Sequence, residues 1–187
     1  IETIDLSNLK QLKINEKLRE NFLLSENHFN LINLNLKDTS IDLIKNINLS
    51  QILELNLNLN QMGSDLLIEI SFDSISKISL SNLNLGEPLE FLNGMKNPFL
   101  NSLDLSHNLI NFTSFFVLEN SKDLVELNLA STLISNYIFY NYINLNFFQN
   151  LEYLNLSFNS IEWIHELKFQ YNFNLKILDM SHNNLTR

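Results

Sequence analysis

The chain of 187 residues contains no cysteine. That absence removes thiolate zinc sites, iron–sulfur clusters, thiol nucleophiles and disulfide staples together. Glycine occurs three times and proline twice. Gly63, Gly86 and Gly94 stand too far apart to form a phosphate-cradling loop, and neither H-E-x-x-H nor G-x-S-x-G is present. Basic residues are scarce as well: 12 Lys and Arg face 21 Asp and Glu, a net charge of −9. The electrostatic footprint of a nucleic-acid or anionic-membrane binder is therefore missing, and nucleic acid is not an expected partner. Hydrophobic residues make up 45%, but Asn, Ser and Lys interrupt them repeatedly. No run reaches the roughly 18 apolar residues of a bilayer span, so no direct membrane insertion is expected. The length alone allows one domain with a sizeable core and no need of metals.

Two residues are in excess. Leucine is about a fifth of the chain and asparagine about a sixth, and the two are interleaved throughout. A low-complexity Asn tract would be disordered, whereas interleaving points to a periodic pattern. The segment Leu100-Asn-Ser-Leu103-Asp-Leu105-Ser-His-Asn108-Leu-Ile110 recurs as Leu151-Glu-Tyr-Leu154-Asn-Leu156-Ser-Phe-Asn159-Ser-Ile161 and as Leu175-Lys-Ile-Leu178-Asp-Met180-Ser-His-Asn183-Asn-Leu185. This is L-x-x-L-x-L-x-x-N-x-L, the leucine-rich repeat frame. Weaker copies centre on Ile4, Leu34, Leu55, Ile78 and Leu127, so the eight fourth positions are spaced by 30, 21, 23, 25, 24, 27 and 24 residues. A polar fifth position, mostly Asn, Asp or Ser, travels with the spacing.

A single unit cannot bury its own apolar face, but stacked units can. The expected fold is an α/β repeat solenoid over residues 1–187, a horseshoe with a curved parallel sheet of about eight strands and a convex side of loops and short helices. Positions one, four and six should point into a continuous core. Positions three, five, seven and eight should lie on the outer face of each strand, following the two-residue alternation of β structure. At the ninth position Asn60, Asn108, Asn159 and Asn183 can satisfy turn backbone, since an amide both donates and accepts. Thr39 and Thr132 can supply part of that bonding; Leu9 and Leu83 cannot, and the polar ladder should break there. Phe29, Phe72, Phe99, Phe148 and Phe173 precede five of the frames and are expected to form an aromatic stack in the core.

The phrases Leu103-Asp-Leu-Ser-His-Asn108, Leu154-Asn-Leu-Ser-Phe-Asn159 and Leu178-Asp-Met-Ser-His-Asn183, on repeats near 24 residues, resemble the extracellular leucine-rich repeats of Toll-like receptors and chaoptin-like adhesion proteins. The resemblance implies a horseshoe that recognises ligands or partner proteins, often as a dimer, and performs no chemistry. Such proteins usually carry cysteine-bearing caps, which this sequence lacks. Because terminal repeats need a polar outer face, a chain that begins and ends within a frame is expected to be a piece of a longer array. Four acceptor sequons, at Asn48, Asn111, Asn155 and Asn184, match the glycosylation pattern. Composition alone predicts about four such matches, so their number carries no weight. Asn155 falls on the sheet surface, where a glycan would block it, while Asn48 and Asn111 lie between strands.

Metal and catalytic sites are not expected. His107 and His182 share the eighth position but sit three repeats apart, about 14 Å at ordinary strand spacing and too far for one zinc. Asp104 and Asp179 share the fifth position at the same separation. Glu162 and His165 would come within reach if a helical turn follows Ile161, yet an exposed pair of that kind is usually a solvated face. Binding is more legible. Column three reads Thr3, Asn33, Glu54, Lys77, Ser102, Glu126, Tyr153, Ile177, and column five is small and polar. Toward the C-terminal end Tyr153 and Ile177 adjoin in column three, and Phe158 and His182 in column eight. Aromatics grouped beside a polar surface suit an interface core. A second candidate is the long convex segment between Leu127 and Leu154, whose phenylalanines should pack beneath the sheet while some of Tyr137, Tyr140 and Tyr142 face a partner. The expected function is a non-enzymatic, cofactor-free ectodomain, receptor-like or adhesive, that binds a protein or other macromolecular ligand. Homodimerisation is left open. The alternative is an intracellular repeat scaffold docking a partner protein, which the missing cysteines favour.

Overall fold

Positions three to five of each frame form one three-residue strand: β1 (Thr3–Asp5), β2 (Asn33–Asn35), β3 (Glu54–Asn56), β4 (Lys77–Ser79), β5 (Ser102–Asp104), β6 (Glu126–Asn128), β7 (Tyr153–Asn155) and β8 (Ile177–Asp179). The computed structural model describes residues 3–5, 7, 33–38, 52–60, 74–85, 97, 99–110 and 122–186. The strands pair in parallel in sequence order, giving one eight-stranded sheet. Register follows the frame. Ile4 faces Leu34, and the line continues through Leu55, Ile78, Leu103, Leu127 and Leu154 to Leu178. A slip of one residue would turn every core leucine outward, so burial itself locks this register.

The core lies behind the sheet. Position one (Ile52, Ile75, Leu100, Leu124, Leu151), position four (Leu34 to Leu154) and position six (Leu36, Leu57, Leu80, Leu105, Leu129, Leu156) are each at most 3% exposed. Each such side chain contributes about 1.5–3 kcal/mol when fully buried, so stacking holds the solenoid together. In β8, which has a neighbour on one side only among the described strands, Leu178 is 39% exposed.

The coil turns its corner differently from the simple alternation expected for positions seven and eight. Strands end at position five. Position seven is drawn toward the corner: Ser106, Ala130 and Ser157 are buried, Lys37, Asn58 and Ser81 are half-buried, and Ser181 on the last repeat is exposed. Position eight adopts the left-handed region, with φ between 52° and 59° at Asp38, Leu59, Asn82, His107, Ser131, Phe158 and His182. A left-handed residue reverses the side-chain direction, which moves position seven under the corner and leaves position eight at its rim. The strain, about 1–2 kcal/mol for a residue with a Cβ, is offset by backbone bonds that recur at each corner. Position six donates to the fifth carbonyl of the next repeat, as Leu105 N to Asn128 O at 3.0 Å, and position eight to the seventh, as His107 N to Ala130 O at 2.9 Å.

Ninth-position asparagines close the remaining bonds. Asn108 Nδ2 donates to Leu105 O and Ser106 O in its own corner and to Leu80 O of the preceding one, while its Oδ1 accepts from Leu83 N and Leu85 N. Asn159 repeats the pattern on Leu129 O, Leu156 O and Ser157 O, and accepts from Thr132 N and Ile134 N. Asn60 donates to Leu36 O and Leu57 O, and Asn183 to Leu156 O and Met180 O. Thr132 Oγ1 donates to Leu129 O of its own corner at 2.7 Å and reaches Asn159 Oδ1 of the next at 3.5 Å. At Leu83, buried and apolar, no side chain continues the ladder. Thr39 and Leu9 lie outside the described residues.

The aromatic stack does not run as expected. Phe99 is 66% and Phe173 87% exposed, whereas Phe148 is buried; Phe29 and Phe72 lie outside the described residues. Phase explains the difference. Phe148 stands three residues before its frame and points inward, while Phe99 and Phe173 stand one and two before theirs. In those two repeats the inward place three residues ahead of the frame belongs to Asn97 and Asn172, both buried. Asn172 Nδ2 donates to Leu145 O and Phe148 O at 2.9 Å each, and Asn97 to Ile75 O.

Between β6 and β7 the convex side carries α1 (Asn136–Asn141), capped by Ser135, and a 3-10 turn at Leu145–Phe147. Phe139 and Phe148 are buried there, Phe147, Tyr140 and Tyr142 half-buried, and Tyr137 exposed. No helical turn follows Ile161: the chain is irregular to His165, and a 3-10 turn begins at Glu166, which removes the geometry that would pair Glu162 with His165.

Because Asn159 is buried and bonds on both sides, Asn159→Ala is expected to lower stability in urea denaturation by about 3 kcal/mol. Half-exposed Asn183→Ala should cost about 1 kcal/mol, since water can replace its bonds.

Candidate functional site

The concave face forms a trough of about 480 Å³ lined by columns three and five from Asn33 to Tyr153. Column five is drawn into the fold. Its side-chain oxygen accepts the N–H of position seven two residues on, at 2.9 to 3.1 Å, in Asp5, Asn35, Asn56, Asp104, Asn128, Asn155 and Asp179. These Asx turns cap each strand. The Ser7 and Ser181 N–H groups hold the Asp5 and Asp179 carboxyls below the usual carboxylate range, with their hydroxyls contributing next. Reading column five as free surface missed this. The signal was available as the near-invariant choice of Asn or Asp there, the two residue types that make such turns.

Ser79 is the one exception among the described strands, since its hydroxyl does not make the Asx bond. There Asn58, at position seven of the preceding repeat, takes over: its Oδ1 accepts Ser81 N at 2.7 Å and Ser79 Oγ at 2.8 Å, and Ser106 Oγ donates to Ser81 Oγ at 3.0 Å.

Column three carries the longer side chains of the trough. Glu54 and Lys77 approach to 3.7 Å with both side chains about half exposed, a pair worth a fraction of a kcal/mol. Ser102 Oγ donates to Glu126 Oε2 at 2.8 Å. Tyr153, half-buried, closes the trough, and Ile177, its register partner on β8, is 55% exposed. Phe158 and His182 meet as stacked rings, 4.1 Å between centroids and 13° between planes. They stand on left-handed corners at the rim and do not line the trough. The four residues thus form two pairs, one on the sheet and one beside it.

His107 lies on its own corner, three repeats from His182, and among the described residues no three His, Asp or Glu side chains gather as metal ligands would. No helix among them is long and apolar enough to cross a membrane. Of the sequons, Asn155 accepts the Ser157 N–H on its Oδ1 at the concave sheet, and Asn184 is exposed. Asn48 and Asn111 lie outside the described residues.

Lys168 was not foreseen. It lies on the 3-10 turn Glu166–Phe169, and its Nζ donates to Phe139 O and, at 2.6 Å, to Ile143 O, where the orphan carbonyls of α1 emerge. It also stands 4.7 Å from the Phe139 ring centroid and 5.1 Å from that of Tyr140, which favours the cation. Burial opposes it and lowers the Lys168 pKa to about 8.

No family model and no curated protein matches the chain. Solved structures do. An internalin of Listeria monocytogenes, inlF, aligns with all of this chain at 20% identity and a TM-score of 0.65, and the chain spans 56% of its length. Internalin C2 of the same organism aligns with all of it at 22% identity and a TM-score of 0.70, with 74% of that chain covered. Toll, in the Drosophila Toll–Spatzle complex, aligns with 84% at 20% identity and a TM-score of 0.55, over 21% of its own length. The fold is a leucine-rich repeat solenoid. The Toll-like resemblance of the repeat phrases holds at the level of that fold.

Two outcomes follow from the solenoid's side chains. Asn58→Ala should destabilise by about 1–2 kcal/mol, and the cost should fall by about 1 kcal/mol in a Ser79→Asn background, where an Asx turn can form within the repeat. For Lys168 the folded pKa lies below the ordinary 10.5 of the unfolded chain. The unfolded state therefore binds the extra proton between those values, and stability rises with pH from about 8 toward 10.5. Compared with Lys168→Met at each pH, the urea midpoint of the unaltered chain should gain the equivalent of about 1 kcal/mol across that window, a figure discounted for a half-exposed group.

Proposed function

We propose that this solenoid is a non-enzymatic recognition module that binds a protein ligand along its concave face, as a receptor-like or adhesive ectodomain exposed outside the cell. The observation that carries the reading is the 480 Å³ trough. Its fifth column is already committed to the strand corners, so the third column and the aromatic end at Tyr153 and Ile177 can vary without disturbing those corners. Protein interfaces place aromatic anchors beside a polar rim in this manner. Toll stands in a complex with Spatzle, which supports a protein ligand for a similar solenoid. The acidic balance of the chain weighs against nucleic acid. The scaffold reading, an intracellular adaptor with the same concave surface, is supported by the absence of cysteine.

A photo-crosslinking residue placed at Tyr153 tests the binding face, with the same residue at exposed Gln170 as the control. A discrete adduct at the first position and none at the second is the expected result; adducts only at Gln170 would move the ligand off the concave face. Tyr153→Ala combined with Phe158→Ala should fold cooperatively and bind the crosslinked ligand at least tenfold more weakly, about 1.4 kcal/mol. Peptide masses covering Asn48, Asn111 and Asn184 from natively sourced protein, before and after deglycosylation, separate the two locations: sugar supports the ectodomain, and bare asparagine at all three supports the adaptor.

A further inference from the structure

On the convex side, away from the trough, a second cavity of about 530 Å³ opens between α1 and the Glu166–Phe169 turn. Its size falls within the usual range for small-molecule sites, roughly 300–1,000 Å³. Asn141, Asn144, Asn146 and His165 make up its polar rim, and the remaining walls are of three kinds. Tyr140 and Trp163 lie against one another as a stacked pair, 4.6 Å between centroids and 22° between planes, and the indole is half exposed. Ile143 and Leu145 supply a buried apolar floor. Lys168 brings an ammonium whose two carbonyl bonds leave one N–H over. In a chain of net charge −9, no carboxylate is among the described side chains that line this cavity.

We propose that this cavity is a binding site for a small aromatic carboxylate, with the ring between the Tyr140–Trp163 pair and the Ile143–Leu145 floor and the carboxylate on the Lys168 ammonium. The charge of the ligand follows from the lining, where Lys168 is the one lysine or arginine and His165 the other basic side chain. One ammonium matches a monoanion, whereas a phosphate dianion would bury a second charge without a counterpart. The aromatic character follows from the walls, since flat rings pack offset or edge-on against such a pair with gains of about 0.5–1.5 kcal/mol beyond burial. The capping of α1 accounts for two of the Lys168 bonds. It does not account for a half-exposed indole held beside an open cavity.

Trp163 is the single tryptophan of the chain, so its emission reports directly on this site. Phenylacetate, transparent at the excitation wavelength, should shift that emission saturably, with a dissociation constant of about 0.1–3 mM for so small a ligand. Its neutral analogue 2-phenylethanol should bind at least tenfold more weakly, and inorganic phosphate should neither bind nor compete. Lys168→Gln, which keeps a donor for the carbonyls, should remove the preference for the acid. That preference in the unaltered protein is measured without any variant, so a folding defect in the variant leaves the proposal testable. Equal binding of acid and alcohol, no saturable response to about 10 mM phenylacetate, or competition by phosphate would each overturn it.

Discussion

A coil that stacks on itself must turn a corner after every strand, and each corner leaves carbonyls and N–H groups that face the inside of the molecule. Unpaired, each would cost about 1–3 kcal/mol, enough over several repeats to cancel the burial of the leucines. The ninth-position asparagine meets this need because one planar amide donates and accepts at once. Asn108 and Asn159 each tie their own corner to the one before, through the carbonyl of position six and the N–H groups of positions nine and eleven. Threonine at 132 serves its own corner through Leu129 O, and leucine at 83 serves none. The excess of asparagine is thus part of the folding mechanism, and the apolar stack depends on it.

The same demand governs what the concave face can do. Column five looks like the centre of an open polar surface, yet its amides and carboxylates are turned back onto position seven. What lies outside those corner bonds is column three and the far end near Tyr153 and Ile177. Separation of scaffold from surface lets one fold serve many partners, because column three can change without touching the corners. Ser79 shows how tightly the corner is held. Where the usual acceptor is absent, Asn58 of the neighbouring repeat supplies one.

The convex side obeys a weaker rule. Three residues before the frame a side chain points inward, and either Phe148 or an asparagine such as Asn97 or Asn172 can fill the place, by packing or by hydrogen bonding. A phenylalanine one or two residues later, as at 99 or 173, faces solvent instead. Irregular segments have no fixed period, so counting back from a leucine could not separate these cases. Lys168 was hidden for a related reason: the carbonyls it reaches belong to residues 25 and 29 positions earlier, and no local pattern brings them together.

From sequence alone came the repeat frame, the parallel sheet with one strand per repeat, the register, the leucine core and the amide ladder with its break at Leu83. Those follow from a period, and a period is a local property that every copy restates. Tertiary structure alone decided the left-handed corners that draw position seven toward them, the commitment of column five, the division of the aromatic end into a sheet pair and a stacked rim pair, and the Lys168 cavity. Each of these depends on which atoms of one repeat meet those of the next, and that contact exists only once the chain has stacked.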